Sequence, residues 1–227
     1  MSILRLAYQS MLGVTQSTGG GGKQDPIGRV RPLDPSQWSP EVRQLLDATL
    51  HRVADLEGRD VSAAPKTLNI LRTIAHLPKL LGPFLGFATT LTQAGVLTRR
   101  DSELLALRTA WNCQSNFEWG HHVVYARAAG LSEDEIERIA VEGPTGDWSA
   151  ADRHLLQAAD QLHVHQQIDD EIWTALSGCH SEAQLVEIPF VVGQYTMLSM
   201  VANSTGVELE DGFPALPRLA PKPTGEG

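Results

Sequence analysis

The sequence predicts an all-α fold, a single-domain helical bundle, on three observations. No stretch keeps the period-two alternation of a half-buried strand, and no Asn-Gly or Asp-Gly turn joins two β-rich runs. Apolar residues recur instead at helical spacing in one segment after another. Helix start signals precede those segments: Ser39-Pro40-Glu41, Ser132 with Glu135, and Ser181 with Gln184.

Taken in order, residues 1–28 end in the glycine-rich STGGGGKQDPIG and read as a flexible extension, the folded domain spans 29–210, and 211–227 is an irregular, proline-rich tail. Ser39 caps a helix with proline at its first position, running to about Glu57, with Val42, Leu45, Leu46, Thr49 and Val53 on the inner side. A loop follows over Gly58–Pro65. Helices are expected over Lys66–His76 and Lys79–Ala94, the second terminated by Gly95. Thr98, three residues before Asp101, opens a central helix to about Trp111. A polar break leads to a histidine-bearing helix, Phe117–Ala129, closed by Gly130. Ser132 starts a short helix through Val141, Ser149 caps one to about His165, and Asp169 or Asp170 caps another through Leu176. The last and most apolar helix runs from Ser181 to Gly206, with Pro189 in its early turns or bending it.

Composition narrows the function. Of 227 residues, 42% are hydrophobic and 20% charged, an ordinary globular balance. A net charge of −9 and the lack of a basic run argue against nucleic acid and against an anionic membrane surface as partners. No segment reads as long and apolar enough to span a bilayer, and MSILRLAYQSMLG is not followed by a cleavage site. Cys113 and Cys179 form no CxxC, and two free thiols suit a reducing cytoplasm.

The chemistry concentrates in one stretch, Glu103 to Glu137. Glu118, His121, His122 and Tyr125 fall at offsets 0, 3, 4 and 7, one helical stripe, and Glu103 faces them from the preceding helix. An acid and two imidazoles beside an apolar run are costly to bury unless paired. Glu118 and His122, one turn apart, can orient one another, and two carboxylates around a histidine compose a general acid/base site. Burial raises a carboxyl while an imidazolium lowers it, so the group should titrate as a unit. Catalytic roles therefore fall on His122, Glu103 and Glu118. His121, Tyr125, Arg108, Trp111 and Tyr195 are candidate substrate contacts, with Arg108 or Arg127 holding a substrate carboxylate and Gln194 and Asn203 as further lining.

Other readings compete. Ser115 and Glu118 spell a capping box, which would explain both without chemistry. Glu118-x-x-His121 and Asp160-x-x-His163, with Glu103 and Glu187, have the makings of a two-metal site in a bundle, but short spacings of this kind recur by chance, and no metal is assigned. Cys113 alone, its thiolate stabilised by His121 or His122, would be a redox site.

The phrases FEWGHHVVYARAAGLS, DRHLLQAADQLH and VGQYTMLSMVANSTGVELE resemble the carboxymuconolactone decarboxylase and alkylhydroperoxidase D (AhpD-like) superfamily, over about Pro40 to Glu210. In that pattern a glutamate precedes C-x-x-C-x-x-x-H, and a Gly-Leu-Ser/Thr lies eight residues after the histidine. Counting back from Gly130 puts the histidine at His122 and the glutamate, nineteen positions earlier, at Glu103. The two cysteine positions fall on Ser115 and Glu118, so the dithiol peroxidase chemistry is absent. The resemblance implies an AhpD-like helical fold, a trimer or hexamer of identical chains, no cofactor, and the decarboxylase-like branch. It implies a lyase, a cofactor-free decarboxylase or isomerase on a small organic acid or lactone. The alternatives are a peroxide or thiol oxidoreductase using Cys113, a metal-binding helical protein, or a helical oligomerisation module.

Overall fold

A computed structural model describes residues 28–56 and 68–217. The expected extension up to residue 27, the loop at 58–65 and the tail beyond 217 lie outside the described residues. Among the described residues there are nine α-helices and no strand. They are α1 (Pro40–Leu56), α2 (Asn69–Ile74), α3 (Pro78–Gln93), α4 (Arg99–Asn112), α5 (Asn116–Ala128), α6 (Glu133–Val141), α7 (Ala150–His165), α8 (Asp170–Ser177) and α9 (Glu182–Thr205).

The helix starts lie where side-chain caps can form. Ser39 accepts from the Val42 N–H at 3.2 Å, and Thr98 from that of Asp101 at 3.1 Å. Ser132 with Glu135 and Ser181 with Gln184 close reciprocal capping boxes. Asp169, rather than Asp170, caps α8. Two expectations change. The helix expected over Lys66–His76 is a single short piece, Asn69–Ile74, with Lys66 and Thr67 outside the described residues. Gly95 does not end α3 through a left-handed turn, because Ala94 is the cap. Glycine is required there because an added Cβ would run into the Leu91 backbone carbonyl as well as the Glu187 carboxyl.

Helix α4 is the hub. Eight of its residues are buried, on every side, and α5, α7, α9 and α6 pack around it. Leu104, Leu105, Leu107, Leu155, Leu156 and Ile188 are completely enclosed; each such side chain contributes roughly 1.5–3 kcal/mol. A second cluster joins α1, α2 and α3 through Val42, Leu46, Ile70, Leu71, Leu81 and Leu85, and Leu198 of α9 packs against both. Helix α9 is long and apolar enough to cross a membrane by length and composition, contrary to the expectation that no segment is. Its most apolar window is 56% buried within the fold, so α9 is also a core helix. Pro189 lies well inside it, where it removes one backbone donor.

Candidate acid/base site

The site depends on the turn between α4 and α5. Cys113 ends α4, Gln114 takes the left-handed conformation at φ 51°, and the Ser115 N–H bonds back to the Ala110 carbonyl at 2.9 Å. This is the helix-closing geometry glycine usually provides; on glutamine it costs roughly 1–2 kcal/mol. Ser115 at once caps α5, accepting from the Glu118 N–H at 3.4 Å. The chain reverses without a long loop, and α5 lies against α4.

That reversal brings Glu103 to His122. The His122 Nδ1–H donates to Glu103 Oε2 at 2.7 Å, and Glu103 Oε1 accepts from Arg99 at 2.9 Å. The opposite nitrogen, His122 Nε2, faces Glu118 Oε2 at 3.7 Å. That is an ion-pair separation, longer than a hydrogen bond. All three residues are buried, at 1%, 3% and 3% exposure for Glu103, Glu118 and His122. The imidazole stands edge-on to two phenol rings, Tyr195 at 4.2 Å and Tyr125 at 5.3 Å between centroids.

Glu118 is the least satisfied member of the group. Its backbone serves the cap, but its side chain does not return to Ser115, whose N–H goes to Ala110, so the capping-box explanation covers Ser115 alone. Among the described residues, Oε1 has no hydrogen-bond partner. Burial pushes this carboxyl up to about 7, against the opposing pull of His122 and then His121. Burial, then the charges of Glu103 and Glu118, push the Tyr195 phenol far above its usual range, so it stays neutral.

These groups line a cavity of about 140 Å³ at the seam between the two core clusters. Its apolar wall includes Leu68, Ile70, Leu71, Phe84, Leu85 and Leu198; its polar side includes Glu118, His121, His122, Tyr125, Gln194 and Tyr195. Among the described residues no Lys or Arg lines it. His121 is held from behind by the segment after α9: its Nε2 meets Glu210 Oε2 at 2.7 Å, and its ring lies against Phe213 at 4.1 Å and Phe117 at 4.6 Å. Burial alone would raise the Glu210 carboxyl, but the bonds from His121 and the Asn69 N–H hold it below its ordinary range. The same segment crosses α5 at Gly120, where any Cβ would strike Leu209 and the Pro214 carbonyl.

Several expected contacts lie elsewhere. Arg108 does not reach the cavity; its guanidinium is clamped on Asp160 at 2.6 and 2.8 Å and on the Ile139 carbonyl. Trp111 packs edge-to-face on Trp119 in the core, 6.1 Å between centroids, and is not a lining residue. Arg127 pairs with Glu133 on the surface, and Asn203 donates to the Cys113 carbonyl. Cys113 faces His163 at 3.8 Å rather than His121 or His122, and burial pushes its thiol up, away from thiolate. The two carboxylate-x-x-His pairs do not meet. Asp160 is taken by Arg108 and Asn112, and Glu187 accepts from the Val96 and Leu97 N–H groups. Among the described residues no group of three or more His, Cys, Asp or Glu could hold a metal.

Two partners went unnoticed in the sequence. Arg99 sits four residues before Glu103, a spacing that signals an ion pair on a helix. Glu210 lies in an irregular segment 89 positions from His121, and no local pattern points to it.

Fold and site together define an AhpD-like all-helical protein whose central helical hairpin carries a buried glutamate–histidine cluster. A model of the carboxymuconolactone decarboxylase family matches residues 78–161, from α3 into α7 with Glu103, Glu118 and His122 inside. Over that segment the chain is similar to this family, and the solved structures that resemble it share its AhpD-like helical fold. A peroxidase-related protein from Ralstonia eutropha with an AhpD core is similar at TM-score 0.68 and 19% identity, over 83% of this chain and 95% of that one. A peroxidase-related protein from Silicibacter sp. is similar at TM-score 0.68 and 17% identity, over 85% and 97%. The debrominase Bmp8, in complex with 2,3,4-tribromopyrrole, is similar at 0.65 and 17%, over 80% and 91%. At such identities the likeness establishes the fold alone. No curated protein matches the chain in sequence.

Proposed function

We propose that the chain is a cofactor-free acid/base enzyme of the lyase or isomerase class, acting on a small organic acid or lactone held in the cavity beside His122. One observation carries the reading: His122 is fixed on Glu103 at 2.7 Å while its other nitrogen faces Glu118 across 3.7 Å, all three side chains buried and His122 and Glu118 lining the cavity. A carboxylate only accepts, so Nδ1 donates to Glu103, and Nε2 is the nitrogen turned toward Glu118. Arg99 and Glu103 orient the ring; Glu118 and His122 exchange the proton with carbon. A buried carboxyl with its pKa near neutral can serve both as base and as acid at physiological pH.

The test is solvent proton exchange. Small lactones, β,γ-unsaturated ketones and short unsaturated acids are incubated with the full-length protein in D₂O, and deuterium entry at carbon is followed by NMR. The protein should accelerate exchange for at least one of them. His122→Ala should lower that rate by roughly 10²–10⁴-fold while far-UV circular dichroism stays helical. Equal rates for the two proteins would refute the assignment.

A further inference from the structure

The charge of the cavity wall narrows the substrate. Its two imidazoles are each matched by a carboxylate of their own, His121 by Glu210 and His122 by Glu103. Arg99 is engaged with Glu103 and is not a lining residue; Arg108 is engaged with Asp160. Among the described residues, Glu118 remains as a carboxyl with an unpaired oxygen, and Gln194, 4% exposed, has an amide oxygen without a hydrogen-bond partner. Among the described residues the wall is therefore neutral or negative in every protonation state that keeps these pairs. An anion entering it would meet no uncompensated cation among the described residues and would sit beside Glu118. An uncharged molecule meets no such barrier, and it finds two unpaired polar groups set in an apolar surround.

We propose that the cavity receives an uncharged, mainly apolar molecule bearing a carbonyl group and an acidic C–H bond, and that the chain moves a proton between two of its carbons. This rests on the acid/base reading above and, within it, favours isomerisation over loss of carbon dioxide from a free acid. The step balances without a co-reactant. The Glu118 carboxylate, with His122 Nε2 facing it at 3.7 Å to share the proton, takes the proton from the carbon beside the carbonyl; the C–H electron pair becomes a C=C bond, and charge moves onto the carbonyl oxygen. The same carboxyl, now protonated, returns the proton to the far end of the conjugated system, and the carbonyl re-forms. Gln194, whose amide group can turn its NH₂ inward, supplies a hydrogen bond to the oxygen while it carries charge.

The test compares two probes of similar size on the full-length protein, above neutral pH where Glu118 is ionised: 2-cyclohexen-1-one, uncharged, and cyclohexene-1-carboxylate, its anionic counterpart. Binding is read by calorimetry and by protein-observed NMR shifts of the Gln194 side-chain amide. The enone should bind at least about tenfold more tightly than the carboxylate. Glu118→Gln should narrow that gap, chiefly by improving carboxylate binding. Equal or tighter binding of the carboxylate, or no binding of either probe, would overturn the proposal. Turnover is scored separately, with 3-cyclohexen-1-one and the ultraviolet absorbance of the conjugated product. Enone binding at Gln194 with no turnover would leave the substrate class standing and sink the acid/base reading instead.

Discussion

Replacing Glu118 by glutamine keeps the shape of the side chain and removes its charge, so it isolates the energy of ionising a carboxyl in this cavity. In the fold, burial raises that carboxyl from an ordinary 4.5 to about 7. Each pKa unit corresponds to about 1.4 kcal/mol, so ionised Glu118 costs the fold about 3 kcal/mol. The native state holds its proton more tightly than the unfolded chain does. The penalty is therefore absent below the unfolded value, grows as pH rises between the two values, and is complete above the folded one. Glu118→Gln carries no such penalty. Urea denaturation of both proteins across that window should show the variant gaining on the parent as pH rises, by about 3 kcal/mol in total. Parallel stability curves would refute the reasoning, because they would mean that Glu118 is solvated or paired well enough to ionise freely.

Gly120→Ala should destabilise the fold by roughly 1–3 kcal/mol, because its methyl would meet the Pro214 carbonyl at 2.9 Å and push the crossing segment off α5; thermal denaturation measures it. The same variant should loosen Glu210 from His121, visible as a changed His121 ring shift by NMR. Cys113→Ser should leave turnover in the exchange assay unchanged, since its thiol faces His163 and not the cavity. A large loss would revive the single-thiol redox alternative.

What the sequence revealed and what it hid divide along physical lines. Caps are local, and Thr98, Ser132, Ser149 and Ser181 mark helix starts within three residues of the bond they accept. The stripe of Glu118, His121 and His122 on α5 is likewise a matter of helical period, as is the relation of Arg99 to Glu103. That Glu103 would reach His122 depended on a tight reversal at Gln114, a non-glycine residue in a left-handed conformation, and nothing local signals it. Arg108 shows the limit of counting charges along a helix. It lies five residues beyond Glu103, well around α4 from it by the helical period of 3.6, and points toward α7, where Asp160 claims it. The cavity itself needs α1, α2 and α3 folded over α5 and α9, and Glu210 arrives from beyond α9. Such contacts form across long sequence separations, where periodicity carries no information.

The most direct test of the buried proton-handling cluster is a pH titration of the glutamate carboxyl carbons by ¹³C NMR, comparing the full-length protein with Glu118→Gln. One carboxyl carbon should titrate near 7 in the parent and be missing from the variant. If every glutamate instead titrates near the ordinary value of about 4.3, then Glu118 is an exposed or well-solvated acid and the cavity beside His122 holds no group poised to move protons.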